Sequence, residues 1–167
     1  MADILSEVTS KLPKDAEVTS ASFEAANIII YTKSKEFFLD NRGEIKKLVG
    51  DIKKRIELRP DPSISLDMEK AEKIIKETLP AESGVDNIIF DAPRSTVIIE
   101  VEKPGLAIGQ SGELLRVIKE KTLWVPIIRR TPSIRSKITE NIRAVLYENN
   151  DSRKKFLNEV GKRIYNG

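Results

Sequence analysis

Pro104–Ile118 reads PGLAIGQSGELLRVI, and the tetrad Gly109-Gln110-Ser111-Gly112 inside it decides how the rest of the chain is read. Upstream lies a β-branched run, Thr96–Val101. Downstream, Gly112–Lys121 carries Leu115 and Ile118 at helical spacing, with Arg116, Lys119 and Glu120 set outward. The tetrad is therefore expected to turn the chain from a strand into an amphipathic helix. Two glycines three apart leave no Cβ atoms where another backbone must pass closely. The first amides of the following helix can meet anionic oxygens with a favourable partial charge. An ordinary helix start needs only one capping residue.

The 167 residues suffice for one compact domain or two small ones. With 29 basic and 26 acidic residues the net charge is +3, which permits a polyanionic partner without requiring one. Cysteine is absent, which excludes disulfides and thiolate metal sites, and histidine is absent, which removes the commonest general base and zinc ligand. No apolar run approaches the roughly 20 residues that cross a bilayer, and no secretory segment opens the chain. A soluble, cytoplasmic protein is expected.

Sliding the sequence against itself by 70 residues reveals a repeat. Asp61-Pro62-Ser63-Ile64 falls on Thr131-Pro132-Ser133-Ile134, and Ile45 and Leu48 fall on Leu115 and Ile118. A repeat this long predicts duplicated small domains, not a solenoid. Each unit reads helix, strand, strand, helix, strand. The first comprises Asp3–Lys11, Val18–Phe23, Asn27–Tyr31, Gly43–Lys54 and Ile56–Arg59; the second comprises Met68–Thr78, Val85–Phe90, Thr96–Val101, Gly112–Lys121 and Leu123–Arg129. The fold class is α+β, a three-stranded mixed sheet packed with helices in each unit. The domains run 1–66 and 67–132, and residues 133–167 form linking helices with Ile134, Ile138, Ile142, Val145 and Leu146 as an apolar stripe. The ending at Gly167 suggests a piece of a longer protein.

The glycine tetrad then implies a groove. Ile108 and Leu115 floor it, and the last strand supplies the opposite wall through Ile127. Small polar and backbone groups there can read unstacked bases, the usual mode for single-stranded RNA, over about four nucleotides. Arg116, Lys119 and Lys121 on the helix, and Arg129-Arg130 at the strand end, flank it. In the first unit the 70-residue register sets Leu39-Asp40-Asn41-Arg42 over the tetrad, a bulky loop whose carboxylate repels phosphate. Its Lys46, Lys47, Lys53, Lys54 and Arg55 offer an auxiliary basic face.

Ile108-Gly109-Gln110-Ser111-Gly112, with Leu115 and Ile118 following, resembles the KH signature. The leading helix and strand are similar to the type II, prokaryotic form. Between its glycines this loop has Gln110-Ser111 where many KH loops carry lysine or arginine, so phosphate contact rests on backbone amides. Two KH-like units, the first without a proper glycine loop, resemble the N-terminal tandem KH region of the archaeal homologues of the cleavage and polyadenylation specificity factor nuclease. That resemblance implies metallo-β-lactamase and β-CASP domains elsewhere in the polypeptide, with two zinc ions held there. It implies RNA 3′-end processing and transcription termination, U-rich RNA, and the transcription machinery as a partner. No cofactor is expected in this chain.

An independent enzyme is disfavoured: Glu100 and Glu102 alternate on a strand but have no partner base, and Gly105–Gly112 lacks the GxxxxGK[ST] pattern. Single-stranded DNA fits the same groove. A protein-interaction or dimerisation scaffold built on KH folds is the alternative reading. Trp124 opens the last strand, where it either stacks on a base or packs in the core.

Overall fold

Asn27–Thr32 and Thr96–Val101 are too rich in β-branched residues to leave one face in water, and each becomes the middle strand of a three-stranded sheet. The computed structural model describes residues 2–41 and 43–132, together with residues 138, 141 and 142. In the first unit α1 (Ala2–Ser10) leads into β1 (Val18–Glu24), β2 (Asn27–Thr32), α2 (Lys35–Leu39), α3 (Glu44–Ile52) and β3 (Ile56–Pro60). The second repeats the order as α4 (Met68–Thr78), β4 (Val85–Asp91), β5 (Thr96–Val101), α5 (Pro104–Ile108), α6 (Glu113–Thr122) and β6 (Val125–Arg130). Each sheet pairs its first two strands antiparallel and its last two parallel. The α+β architecture of two mixed sheets packed with helices is thus as expected. The linking helices expected over residues 133–167 fall outside the described residues, apart from 138, 141 and 142.

Two features differ from the sequence reading. The parallel crossover of each unit contains two helices, so the tetrad joins α5 to α6 and does not join a strand to a helix. Pro104 starts α5 where its missing amide costs nothing. The repeat register also changes along the chain. Pairing of Val18 with Thr32 and of Val85 with Val101 makes Thr32 the counterpart of Val101, a spacing of 69. Pairing of Ile28 with Ile56 and of Val97 with Pro126 makes Ile56 the counterpart of Pro126, a spacing of 70. The extra residue lies in α6, which has 10 residues against 9 in α3.

Each unit has its own core. In the second, Ala71 and Ile75 of α4 and Ile118 of α6 cover Val97, Ile99 and Val101. In the first, Val8, Leu12 and Leu48 cover Ile28 and Ile30. Strand alternation puts Ile29 and Ile98 on the helix-free faces of their sheets, and both are also buried. No helix among the described residues is long and apolar enough to cross a membrane.

The units are tied by charge. Arg59, 7% exposed, donates to Glu24 at 3.1 and 3.0 Å and to Glu57 at 2.8 Å. Arg94 of the second unit donates to the same Glu24 at 3.1 Å and to Asp91 at 2.7 Å. The Tyr31 hydroxyl reaches the Pro93 carbonyl at 3.4 Å. One carboxylate therefore serves a guanidinium from each unit. Burial alone pushes the Glu24 carboxyl up, but hydrogen bonds and charge from Arg59 and Arg94 hold it below its ordinary value. Farther on, Ser65 Oγ donates to Leu123 O at 3.0 Å, and the indole of Trp124 to Leu66 O at 2.7 Å, so the connecting segment is sewn to the second unit.

Because the folded carboxyl is depressed, its stabilisation is present above the usual carboxylate range and is lost as pH falls through the folded value. Glu24→Gln is expected to lower unfolding stability at neutral pH by about 1.5–3 kcal/mol, the worth of hydrogen bonds to charged groups. It should also flatten the acid limb of stability against pH. Urea unfolding at several pH values measures both.

Candidate nucleic-acid interface

The tetrad owes its shape to three left-handed or glycine-only residues. Gly109 sits at φ 72, ψ −174, a region essentially confined to glycine. A Cβ there would also lie 3.1 Å from Cγ of Leu114. Ser111 follows at φ 52, ψ 24 and Gly112 at φ 77, ψ 22, before Glu113 returns to right-handed helix at φ −56, ψ −46. A left-handed residue followed by a right-handed one turns successive amides toward one side, the concavity that accepts anions. The Glu113 amide closes the turn on Gln110 O. Among the described backbone hydrogen bonds, none outside the turn uses the amides of Gln110, Ser111 or Gly112.

Around this turn the side chains are apolar and open. Leu106 is 46% and Ile108 36% exposed, while Ala107 between them anchors α5 in the core. Leu115 is half-buried. The sequence set Leu115 inward beside Ile118; the core contact is made by Leu114, and Leu115 stands outside that cluster. Leu115 and Ile108 therefore remain to line the approach to the turn. Arg116 is exposed and lies 3.7 Å from Glu120, a loose surface pair. Gln110 and Ser111 are exposed at the tip.

Three expected groove residues are placed elsewhere. Lys119 does not flank the groove. Its ammonium lies 3.9 Å from the centre of the Phe38 ring and donates to Phe38 O at 3.0 Å, joining α6 to α2 of the first unit. Burial, partly offset by Glu120, pulls its pKa below the ordinary ammonium range. Ile127 and Arg129 pair with Ile98 and Glu100, on the sheet face away from the helices, whereas Ile128 joins the helix-side core. The alternation of β6 thus turns Ile127 and Arg129 away from the tetrad. Arg130 shares the helix-side alternation and is exposed. Trp124 precedes β6, is 4% exposed and meets Phe90 edge-on at 4.9 Å, so it belongs to the core and not to a stacking surface. Arg94 is a bridge between the units; no local pattern announces a partner 70 residues away.

The first unit keeps half of the motif. Gly43 caps α3 at φ 79, ψ 6, matching Gly112. With the 69-residue spacing, Asp40 and not Leu39 falls on Gly109, and Asp40 adopts extended backbone at φ −136, ψ 95. The position that must be glycine in one unit is therefore an ordinary residue in the other. Beside it lies a hollow lined by Asp15, Glu17, Glu36, Asp40 and Glu44, with Lys33 and Lys35. Lys46, Lys47, Lys53, Lys54 and Arg55 are all exposed.

A family model described as the KH domain of transcription termination factor FttA matches residues 1–65. The chain is 42% identical over 165 residues to transcription termination factor FttA of Pyrococcus horikoshii, covering 99% of this chain and 25% of the relative. It is 41% identical to the factor of the same name from Methanothermobacter thermautotrophicus, covering 99% and 26%. With that of a Lokiarchaeum species it shares 32% identity, covering 97% and 26%. The chain spans about a quarter of the length of the curated relatives it matches.

Gly109→Ala is expected to cost about 1–3 kcal/mol through backbone strain and contact with Leu114. Asp40→Gly, at the matching extended position, should cost under about 1 kcal/mol. Urea unfolding of the two variants separates them.

Proposed function

We propose that this chain, which belongs to the FttA family of archaeal transcription termination factors as its KH region, holds single-stranded RNA against the Gly109–Gly112 turn. The observation that carries this reading is a turn with no Cβ at Gly109 and Gly112, left-handed at Ser111 and Gly112, beside the open apolar side chains of Leu106 and Ile108. A sugar–phosphate backbone passes over the glycines and takes hydrogen bonds from the amides. About four nucleotides are held, with bases lying toward Ile108 and Leu115. Ser111 and Gln110 contribute polar contacts at the tip, and Arg116 and Arg130 border the path. With no cation inside the tetrad, this contact has a shallow salt dependence and modest affinity.

The resemblance favours U-rich RNA, and single-stranded DNA of similar sequence fits the same groove. In the whole protein, RNA 3′-end cleavage would take place in metallo-β-lactamase and β-CASP domains outside this chain, with two zinc ions there. Among the described residues no group of three or more His, Cys, Asp or Glu side chains is arranged to hold a metal ion. The part assigned to this chain is binding and positioning, in the cytoplasm, for the nuclease domains and the transcription machinery that meets them.

Fluorescence anisotropy with U-rich, C-rich and mixed RNAs, and the matching DNAs, tests the reading. Gln110→Asp/Ser111→Asp is expected to weaken RNA binding at least about tenfold, because like charges brought together cost several kcal/mol. Its unfolding curve should match the wild type. Equal binding by the two folded proteins would overturn the assignment to this groove.

A further inference from the structure

A second concentration of charge lies on the first unit. Lys46, Lys47, Lys53, Lys54 and Arg55 are exposed, and none takes part in an ion pair among the described residues. α3 and the turn behind it oppose these five cations with two carboxylates, Glu44 and Asp51. The local excess of three equals the net charge of the whole chain. Lysines at the end of α3 also suit the negative pole of its dipole.

The strip has an unexplained glycine at its centre. Lys46 and Lys47 stand one turn before Gly50 on α3, and Lys53, the left-handed cap of the helix, and Lys54 follow just past its end. Gly50 is exposed, has no positive φ, and a Cβ on it would meet nothing within 4 Å. A glycine inside a helix costs about 1 kcal/mol against alanine, and nothing in the fold requires this one. Bare backbone between two lysine pairs is what close approach of a phosphate chain needs. A protein partner would ask for something else, because protein interfaces are poor in lysine and rich in aromatic residues. This strip has four lysines and no aromatic.

Its position relative to the groove comes from Lys119. That residue lies two turns along α6 from Gly112, about 10 Å at 1.5 Å per residue, and touches Phe38. Phe38 is two residues before Asp40, and α3 starts at Glu44. The acidic hollow at Asp40 and Glu44 repels phosphate from the degenerate loop itself and leaves the lysine strip as the favourable path.

We infer that the outer face of α3 and the turn behind it form a second contact surface for the RNA strand held at Gly109–Gly112, binding its phosphates without regard to base. The inference rests on the groove reading above. The second unit then selects and orients the strand, and the first supplies the charge its glycine loop lacks.

The test compares four proteins: the wild type, the loop variant Gln110→Asp/Ser111→Asp, the strip variant Lys46→Gln/Lys47→Gln/Lys53→Gln/Lys54→Gln, and Gly50→Leu. The probe is a U-rich RNA of about twelve nucleotides, three times the length a KH groove clamps, titrated at several salt concentrations. The strip variant is expected to bind at least about tenfold more weakly. Its slope of log K against log salt should fall by about 2–3, at roughly 0.7 per phosphate contact. Gly50→Leu should weaken binding while leaving the unfolding curve equal or more stable. An unchanged slope in the strip variant, with loss in the loop variant, overturns the second surface and leaves the groove. Loss in the strip variant with none in the loop variant overturns the groove reading and the continuity argued from it.

Discussion

The difference between the two inter-helix turns begins at one backbone conformation. At φ 72, ψ −174 Gly109 occupies a region essentially confined to glycine, and from there the chain passes from α5 into α6. The first repeat has abandoned that conformation. Asp40 ends α2 in extended backbone, with its amide donating to Glu36 O at 2.8 Å, and only the second glycine survives, as Gly43. Sheet order, strand directions and paired crossover helices are the same in both units. A fold can therefore be kept by its core while its glycine turn differs at a single position.

Loss of the turn did not free the first unit to drift. Glu24 accepts from Arg59 and Arg94, one from each unit, and Lys119 rests on Phe38. Lys119 shows how a half-buried lysine becomes structural: its ammonium keeps an aromatic face and a carbonyl as partners. Such an arrangement holds the two units in a fixed relation. Whatever lies on the Gly109 turn is thereby set at a defined distance from α3.

Much of this was legible in the sequence. The β-branched runs marked both central strands, the repeat marked two units, and Gly109-Gln110-Ser111-Gly112 marked the turn. Four kinds of information were not. α5 is five residues long and begins at a proline, too short for a helical period to register. A one-residue difference between α3 and α6 shifted the gap-free register and moved Leu39 onto a position that belongs to Asp40. Side-chain direction on β6 depends on ladder phase, which the strand's composition (VPIIRR) does not fix, so Ile127 and Arg129 were assigned to the wrong face. Long-range partners such as Arg94 and Glu24 leave no local trace at all.

The central claim is that nucleic acid lies on the Gly109 turn and not on its degenerate counterpart. Backbone amide resonances followed during titration with a U-rich RNA of about four nucleotides, the length a KH groove holds, test it most directly. The account predicts shifts concentrated on Gly109–Arg116, with Asn41 and Gly43 unmoved. Shifts confined to the first unit, with the Gly109–Gly112 amides unmoved, would contradict it.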